Sequence, residues 1–177
     1  MDKLPFSCSY QVLTSLPAYG QKRFIFPKNH TVLPTDYLVR IIPEHGEEWV
    51  GFFGGIDNHY FSGILPWPND IYICVVSRGV GYVVRIDEPT DYTELPFVPI
   101  VHAFWVEKMK ITIFATFRDL IAYSRNGVLW KISNLAQDGF TITSLTDTHI
   151  KGITTNNFPQ NNSFEVCIAT GEVTKSE

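Results

Sequence analysis

The chain has 177 residues, of which 45% are hydrophobic and 18% charged, so it is long enough to bury a core and fits one domain. Its formal net charge is −4. The basic residues are scattered, with Lys22 and Arg23 as the tightest pair, which argues against a nucleic-acid partner. No apolar leader and no stretch of about 18 apolar residues is present. We therefore expect a cytoplasmic protein without a membrane segment.

The three cysteines are an odd number at wide spacing: Cys8, Cys74 and Cys167. We expect all three to be buried thiols, because no secretory leader precedes them. Cys74 and Cys167 fall within predicted strands, where burial raises the pKa of a thiol and makes it unreactive.

The N-terminal segment 1–35 contains four prolines and little hydrophobic periodicity. One short strand is predicted at 23–26, and the rest is expected to form an extended arm lying over the body. We expect this arm and the rest of the chain to form one all-β domain over residues 1–177.

From residue 37 the chain alternates short apolar runs with turns, as is typical of strands joined by hairpins. Strands are predicted at 37–42, 49–56 and 60–65, with a turn at 57–59 and a loop at 66–70 that contains two prolines. A hairpin follows from residue 71 to 86. An acidic connection at 87–94 leads to the next strand, at 100–106.

The C-terminal half continues this pattern. The run 111–117 places Ile111, Ile113, Ala115 and Phe117 on one face. The Asn126-Gly127 pair between apolar runs is a strong hairpin signal, because both residue types tolerate positive φ. Two more strands are predicted at 140–145 and 149–153, and a last hairpin closes the chain. Trp130 is expected to share a core face with Val128 and Ile132.

Three hairpin turns contain a glycine, and these glycines recur at similar intervals. Gly79, Gly127 and Gly171 lie 48 and 44 residues apart. The whole pattern predicts an all-β fold of antiparallel hairpins with ten to twelve strands. The spacing favours a small propeller-like array of four-stranded sheets. A β-sandwich or barrel is the alternative.

The last third of the chain resembles a family of small uncharacterised bacterial proteins. The matching segments are 114–117, 120–123, 126–130, 135–139 and 169–173. The stretch 127–131 also looks like a strand repeat of some β-propellers. The resemblance implies an all-β bacterial protein, and it transfers no site because the family carries no assigned activity.

No motif identifies a catalytic, cofactor or metal site. The histidines have no second ligand at metal-binding spacing, there is no serine-nucleophile elbow, and the glycine-rich stretches lead into strands rather than helices. The acidic connection 87–94 lacks the spacing of a calcium loop. The solitary histidines are His30, His45, His59, His102 and His149.

The segment 49–67 is the best candidate for a binding surface, because it combines aromatic rings with small and polar residues. Its rings are either core of neighbouring strands or an exposed patch. The candidate surface residues are Asp57, Asn58, His59, Tyr60 and Trp67.

Two functional hypotheses follow. The first is a non-catalytic module that binds another protein or peptide through loops on a rigid β scaffold, with the acidic connection 87–94 as a second candidate surface. The second is a small-ligand or carbohydrate binder, or a hydrolase, that uses the 49–67 region and His102. The sequence favours the first, and it does not specify an oligomeric state.

Overall fold

In the computed structural model the chain folds into 17 strands within the described residues, which are 2–3, 7–16, 20–155 and 162–176. It divides into two compact units, Met1–Ile100 (unit 1) and Val101–Glu177 (unit 2). The sequence predicted one domain, and the structure describes two compact units. In the part that the structure describes, no helix is long and apolar enough to cross a membrane.

The described part of unit 1 contains nine strands. They are β1 (Asp2–Lys3), β2 (Cys8–Leu13), β3 (Lys22–Phe26), β4 (Tyr37–Pro43), β5 (Trp49–Phe53), β6 (Gly63–Pro66), β7 (Tyr72–Ser77), β8 (Val80–Arg85) and β9 (Tyr92–Glu94). They form a five-stranded sheet in the order β1-β2-β4-β5-β3 and a four-stranded sheet in the order β6-β7-β8-β9.

Unit 2 contains eight strands and one turn of 3-10 helix. They are β10 (His102–Val106), the 3-10 turn (Glu107–Met109), β11 (Ile111–Ala115), β12 (Leu120–Ser124), β13 (Gly127–Ile132), β14 (Phe140–Leu145), β15 (His149–Thr154), β16 (Ser163–Cys167) and β17 (Val173–Ser176). They form two four-stranded sheets, each with its strands in chain order.

The predicted all-β fold of antiparallel hairpins is confirmed. Three of the four sheets are meanders in which each strand pairs antiparallel with the next, which is the strand order of a propeller blade. These repeated blade-like sheets agree with the predicted propeller-like array of four-stranded sheets. Gly79, Gly127 and Gly171 all have positive φ. As expected, they lie at the hairpin turns that join β7 to β8, β12 to β13 and β16 to β17.

The prediction of ten to twelve strands is too low. Some strands are only two or three residues long and carry charged residues, so they leave no alternating pattern. Tyr92–Glu94 is such a strand within the acidic connection.

The arm predicted over residues 1–35 is wrong for Cys8–Leu13. This segment pairs antiparallel with β4 along its whole length, whereas β3 pairs parallel with β5. β2 and β3 therefore lie on opposite sides of the β4–β5 pair. Prolines around both strands hide this arrangement at the sequence level.

The core of unit 1 lies between its two sheets and is rich in aromatic rings. Phe26 stacks on Phe53 with ring centroids 4.6 Å apart. The indole of Trp49 donates to the carbonyl of Ile86 over 2.9 Å, and the Tyr82 hydroxyl donates to the carbonyl of Gly54 over 3.0 Å. Hydrogen bonds therefore fix both ends of β5.

The core of unit 2 likewise lies between its two sheets. Ile111, Ile113 and Ala115 share a buried face as predicted, but Phe117 lies beyond the strand and is half exposed. The indole of Trp130 donates to the carbonyl of Ile168 over 2.8 Å. Val128 is 56% exposed, because an extra residue in β13, Leu129, breaks the alternation between Val128 and Trp130. The shared face predicted for Trp130 and Val128 is therefore wrong.

Candidate functional site

Three connections meet at one end of unit 1: the loop 27–36 after β3, the loop 54–62 after β5, and the turn 78–79 between β7 and β8. The amide of Ile56 donates to the carbonyl of Arg78 over 3.0 Å. The Arg78 amide in turn donates to the hydroxyl of Ser62 over 2.8 Å. We call the surface formed by residues 33–36, 54–62, 78–79 and 98–99 the loop face.

The turn at the centre of the loop face has an unusual residue. Arg78 and Gly79 have φ values of 45° and 86°, as the two central residues of a type I′ hairpin turn require. Glycine adopts this conformation freely, whereas a side chain there is strained by about 1–2 kcal/mol. An arginine at such a position indicates that its side chain makes compensating contacts.

The guanidinium of Arg78 connects two loops. It donates to the hydroxyl of Thr35 over 2.9 Å and to the carbonyl of Gly55 over 3.4 Å, and it lies 3.5 Å from a carboxylate oxygen of Asp36. The side chain of Arg78 is only 12% exposed and that of Asp36 is fully buried. Arg78 therefore fixes the loops after β3 and β5 relative to each other.

The Asp36 carboxylate has two further partners. The Nε2 atom of His30 lies 2.9 Å from both carboxylate oxygens, and the amide of Leu33 donates to one of them over 2.9 Å. The His30 ring lies against Gly54, where an added Cβ atom would approach it to 2.9 Å. A buried carboxylate with this many donors is satisfied, so the cluster of His30, Asp36 and Arg78 has the geometry of a structural clamp.

The predicted surface residues separate into two groups. Asp57, Asn58 and His59 are exposed at the tip of the loop 54–62, and Tyr60 is half-buried beside Gly79. Trp67 follows β6. The first residue of β6 pairs with Val76, near the turn 78–79, and its last residue pairs with Ile73, near the opposite end of β7. The structure thus brings the first four residues to the loop face and places Trp67 at the far end of the sheet.

At the loop tip, Asp57 and His59 contact each other directly. The carboxylate accepts the backbone amide of His59 over 2.9 Å and lies 2.5 Å from its Nδ1 atom. These hydrogen bonds, the backbone one above all, lower the pKa of Asp57. The tip therefore presents a carboxylate that remains charged.

The aromatic rings of β5, at the start of the segment 49–67, are not a surface patch. Trp49, Phe52 and Phe53 are 2%, 3% and 0% exposed, so the core alternative is correct for the strand part. A ring that stacks on a sugar must offer an open face, and these three do not.

The acidic connection 87–94 is organised by one arginine. Arg85 contacts Asp87 at 2.8 Å, Glu88 at 3.4 Å and Asp91 at 4.0 Å, and the hydrogen bond from Arg85 lowers the pKa of Asp87. The Tyr72 hydroxyl also donates to Asp91 over 3.0 Å. Across the described ranges, no group of three or more His, Cys, Asp or Glu residues is placed to hold a metal ion.

Two cavities adjoin Asp87. The smaller has a volume of about 150 Å³. The larger, of about 300 Å³, is lined by Lys22, Phe24, Trp49 and the loop 87–90, among others. Asp57, His59 and Trp67 line neither of them. His102 lies exposed on β10 in unit 2, beside the ring of Phe104.

The cysteines differ from one another. Cys8 and Cys74 are buried, and burial raises the pKa of Cys8 to about 11 and that of Cys74 further. Cys167 is only half-buried, and hydrogen bonds with Thr170 and the amide of Ala169 lower its pKa. The predicted burial and raised pKa are therefore wrong for Cys167, because it lies where β16 meets a turn.

The sequence reasoning missed three exposed apolar residues in connections that adjoin the clamp. Leu33, Ile56 and Val98 are 45%, 55% and 54% exposed. Each is close to the turn 78–79. Leu33 begins the turn 33–36, which contacts Arg78 through Thr35, and the backbone amide of Ile56 donates to the carbonyl of Arg78. Val98 directly precedes Pro99, which lies against Gly79. A usable signal was the arginine in Ser77-Arg78-Gly79, where asparagine or glycine is usual.

Comparison with known proteins gives one structural similarity. No family model and no curated protein matches the chain. The crystal structure of the N-terminal domain of Nup159 is similar to it with a TM-score of 0.45 and 10% sequence identity over 100% of this chain. The chain spans about half of that structure, 52% of its length.

Proposed function

We propose that this protein is a non-catalytic interaction module that binds another protein or peptide through the loop face of unit 1. The observation that supports this most directly is the set of exposed apolar residues Leu33, Ile56 and Val98 around loops that Arg78 fixes. Exposed apolar side chains grouped on a folded surface are typical of interaction sites.

Rigidity of these loops is the second support. A loop that is ordered before binding loses less conformational entropy on binding, so more of the contact energy contributes to affinity. The loop 54–62 is fixed by backbone hydrogen bonds from Ile56 and Gly79 and by the Arg78–Ser62 bond. Scaffolds with functional loops are built in this way.

The charges of the loop face suggest what a partner offers. The exposed groups at the tip are the Asp57 carboxylate and the His59 imidazole, whereas Asp36 and Arg78 are buried and paired with each other. A partner with apolar side chains at its centre and a hydrogen-bond donor or cation at its rim would match this surface.

The chemistry of the clamp supports a non-catalytic role. His30 could act as a general base only with a nucleophile within hydrogen-bond reach. In the described part of the chain, Asp36 is the only side chain that hydrogen-bonds to its ring, and the opposite side of the pair is occupied by Arg78.

A cytoplasmic location and a bacterial origin are parts of this proposal. All three cysteines are free thiols, which fits a reducing compartment. The bacterial origin rests on the sequence resemblance alone.

Binding of a small ligand is a second candidate, because the larger cavity beside Asp87 reaches about 300 Å³, at the lower limit of ligand sites. A panel of sugars, nucleotides and amines in a thermal-shift assay tests it. A ligand that binds the native state raises the melting temperature, and the Thr90→Trp variant, which fills the cavity, would abolish that shift.

The proposed function is tested by affinity purification from native cells with matched variants. Leu33→Asp with Ile56→Asp adds two charges to the loop face. Ile71→Asp adds one on a residue of similar exposure, 46% against 45% for Leu33, about 20 Å away at the other end of β7. We expect the double variant to lose its partner and the control to retain it. Equal recovery from both variants would contradict the proposal.

A further inference from the structure

The edge strand β14 of unit 2 has backbone groups for which the described part of the chain supplies no partner. Within the described residues, β14 pairs only with β15 and forms one edge of its sheet. We propose that this edge binds an extended peptide segment of another protein, which adds to the sheet as a further strand. This surface is separate from the loop face and does not depend on the proposed function.

The register determines which backbone groups point away from the sheet. The amide of Thr155 donates to the carbonyl of Gly139 over 2.8 Å, and Thr141 pairs with Ile153, so Gly139 and Thr141 are the residues that face β15. Hydrogen-bonding direction alternates along a strand. The amides and carbonyls of Phe140 and Ile142 therefore point away from β15.

A β-bulge shifts this alternation at the end of the strand. The register changes between Ile142 and Ser144, and the amide of Thr146 donates to the carbonyl of His149 over 3.0 Å. Since Thr146 faces β15, the preceding residue, Leu145, points away. The outward backbone groups are thus those of Phe140, Ile142 and Leu145. Because the bulge follows Ile142, a docked strand pairs first with Phe140 and Ile142 and then reaches Leu145.

The composition of β14 leaves this edge open. Its sequence, with the residue on either side, contains no ionisable side chain and no proline. Charged residues, proline or very short length protect edge strands against pairing with other chains. The other edges carry such features: Lys22 and Arg23 in β3, Pro66 in β6, Glu107 directly after β10, Lys131 in β13, Lys175 in β17, and lengths of two and three residues in β1 and β9.

The occupant follows from the charges at the two ends of the edge. Asp138 and Asp147 are exposed and lie just outside β14, nine residues apart. Opposite charges beside a docked strand favour it and like charges oppose it. The partner segment is therefore an extended stretch of uncharged, β-branched residues with a basic residue at each end.

The outward face of this sheet is mostly polar, with Ile153, which is 40% exposed, as its apolar member. Its outward side carries Lys151 and Glu165, which form an ion pair of 3.2 Å, and Thr141 and Ser144, which are exposed. A polar face of this kind is typical of the solvated side of a terminal sheet. The edge gives affinity through main-chain hydrogen bonds, as in other cases of strand addition.

The experiment measures binding of a labelled ten-residue peptide, alternating valine and threonine with a lysine at each end, to the full chain by fluorescence anisotropy. We expect Leu145→Pro, which removes one outward amide, to weaken binding about tenfold. Leu145→Thr, which keeps that amide, should change it less than twofold. A peptide with glutamate in place of lysine should bind at least fivefold more weakly, and increasing salt should weaken binding of the lysine peptide.

A second arm keeps the test valid if Leu145→Pro does not fold. N-methylation of alternate peptide amides removes hydrogen-bond donors and leaves the protein unchanged, and it should abolish binding. The proposal is overturned if the peptide does not bind at millimolar concentration, or if the N-methylated peptide binds as well as the parent. It is also overturned if the protein dimerises through β14 and excludes the peptide, because the occupant is then a second copy.

Discussion

Replacement of Arg78 tests whether its guanidinium fixes the loop face. The wild-type turn has an arginine at φ 45°, a conformation strained by about 1–2 kcal/mol for a residue with a side chain. If the side chain made no useful contact, Arg78→Gly would stabilise unit 1. If the clamp operates as described, the same substitution destabilises it in spite of the relaxed backbone.

The expected magnitude follows from the contacts. A hydrogen bond from a charged donor, such as that to Thr35 at 2.9 Å, contributes about 1.5–3 kcal/mol. Removing one partner of a buried ion pair costs about 3–5 kcal/mol, but Asp36 retains its bonds with His30 and Leu33. We therefore expect Arg78→Ala to lower the free energy of unfolding by about 2–3 kcal/mol, and Arg78→Gly by about 1–2 kcal/mol because the strain is released.

Urea unfolding followed through amide NMR signals measures these changes in each unit separately. With a slope of about 1–3 kcal/mol per molar urea, Arg78→Ala should lower the midpoint of unit 1 by roughly 1–2 M. Hydrogen exchange at the amides of Leu33 and Ile56 should accelerate more than exchange in β7, since the clamp holds the loops.

Arg125 provides the control. It lies in the corresponding turn between β12 and β13 and is exposed, so Arg125→Ala should change stability by less than about 0.5 kcal/mol. An Arg78→Gly protein that unfolds at higher urea than the wild type would refute the clamp.

Three further predictions concern single groups. His59→Ala should raise the pKa of Asp57 only part of the way to its usual value, because the backbone hydrogen bond remains. Since folding lowers this pKa, the stability that the carboxylate contributes is present above its pKa in the unfolded chain and is lost as the pH falls through its pKa in the folded protein. A carboxyl NMR titration that finds the same Asp57 pKa in the variant and the wild type would contradict this prediction. In the native state Cys167 should react with a disulfide reagent at pH 8 before Cys8 and Cys74 do. Thiol labelling followed by mass spectrometry measures the three rates, and equal rates would argue against the difference in exposure and pKa among these cysteines. Gly55→Ala should destabilise unit 1 by about 1–3 kcal/mol, because a Cβ atom there would lie 2.3 Å from the carbonyl oxygen of Ser77, and a melting temperature equal to that of the wild type would exclude this close approach.

The sequence predicted the sheets well because their signals are local. The alternation in Ile111–Ala115 and the glycine turns at Gly79 and Gly127 each depend on neighbouring residues. Cys8–Leu13 was missed for a different reason: this strand is defined by its pairing with β4, more than 20 residues away, and its own residues alternate only weakly.

The candidate site was predictable only in part. The exposed tip with Asp57 and His59 follows from turn-forming residues, and it was predicted. The clamp was not, because His30 and Asp36 come from one connection and Arg78 from another, and the fold alone brings these two connections together. Each looks solitary in the sequence, and the burial of Asp36 becomes evident only when the loops are assembled.

Site-specific photocrosslinking tests the central claim most directly. A photoreactive amino acid replaces Ile56 on the loop face or Ile71 at the opposite end of β7, which are 55% and 46% exposed, and the protein is irradiated in its native cells. The account predicts a discrete crosslinked protein from the Ile56 position that disappears when Leu33→Asp is added, and none from Ile71. Crosslinks of equal yield at both positions, or at Ile71 alone, would contradict it.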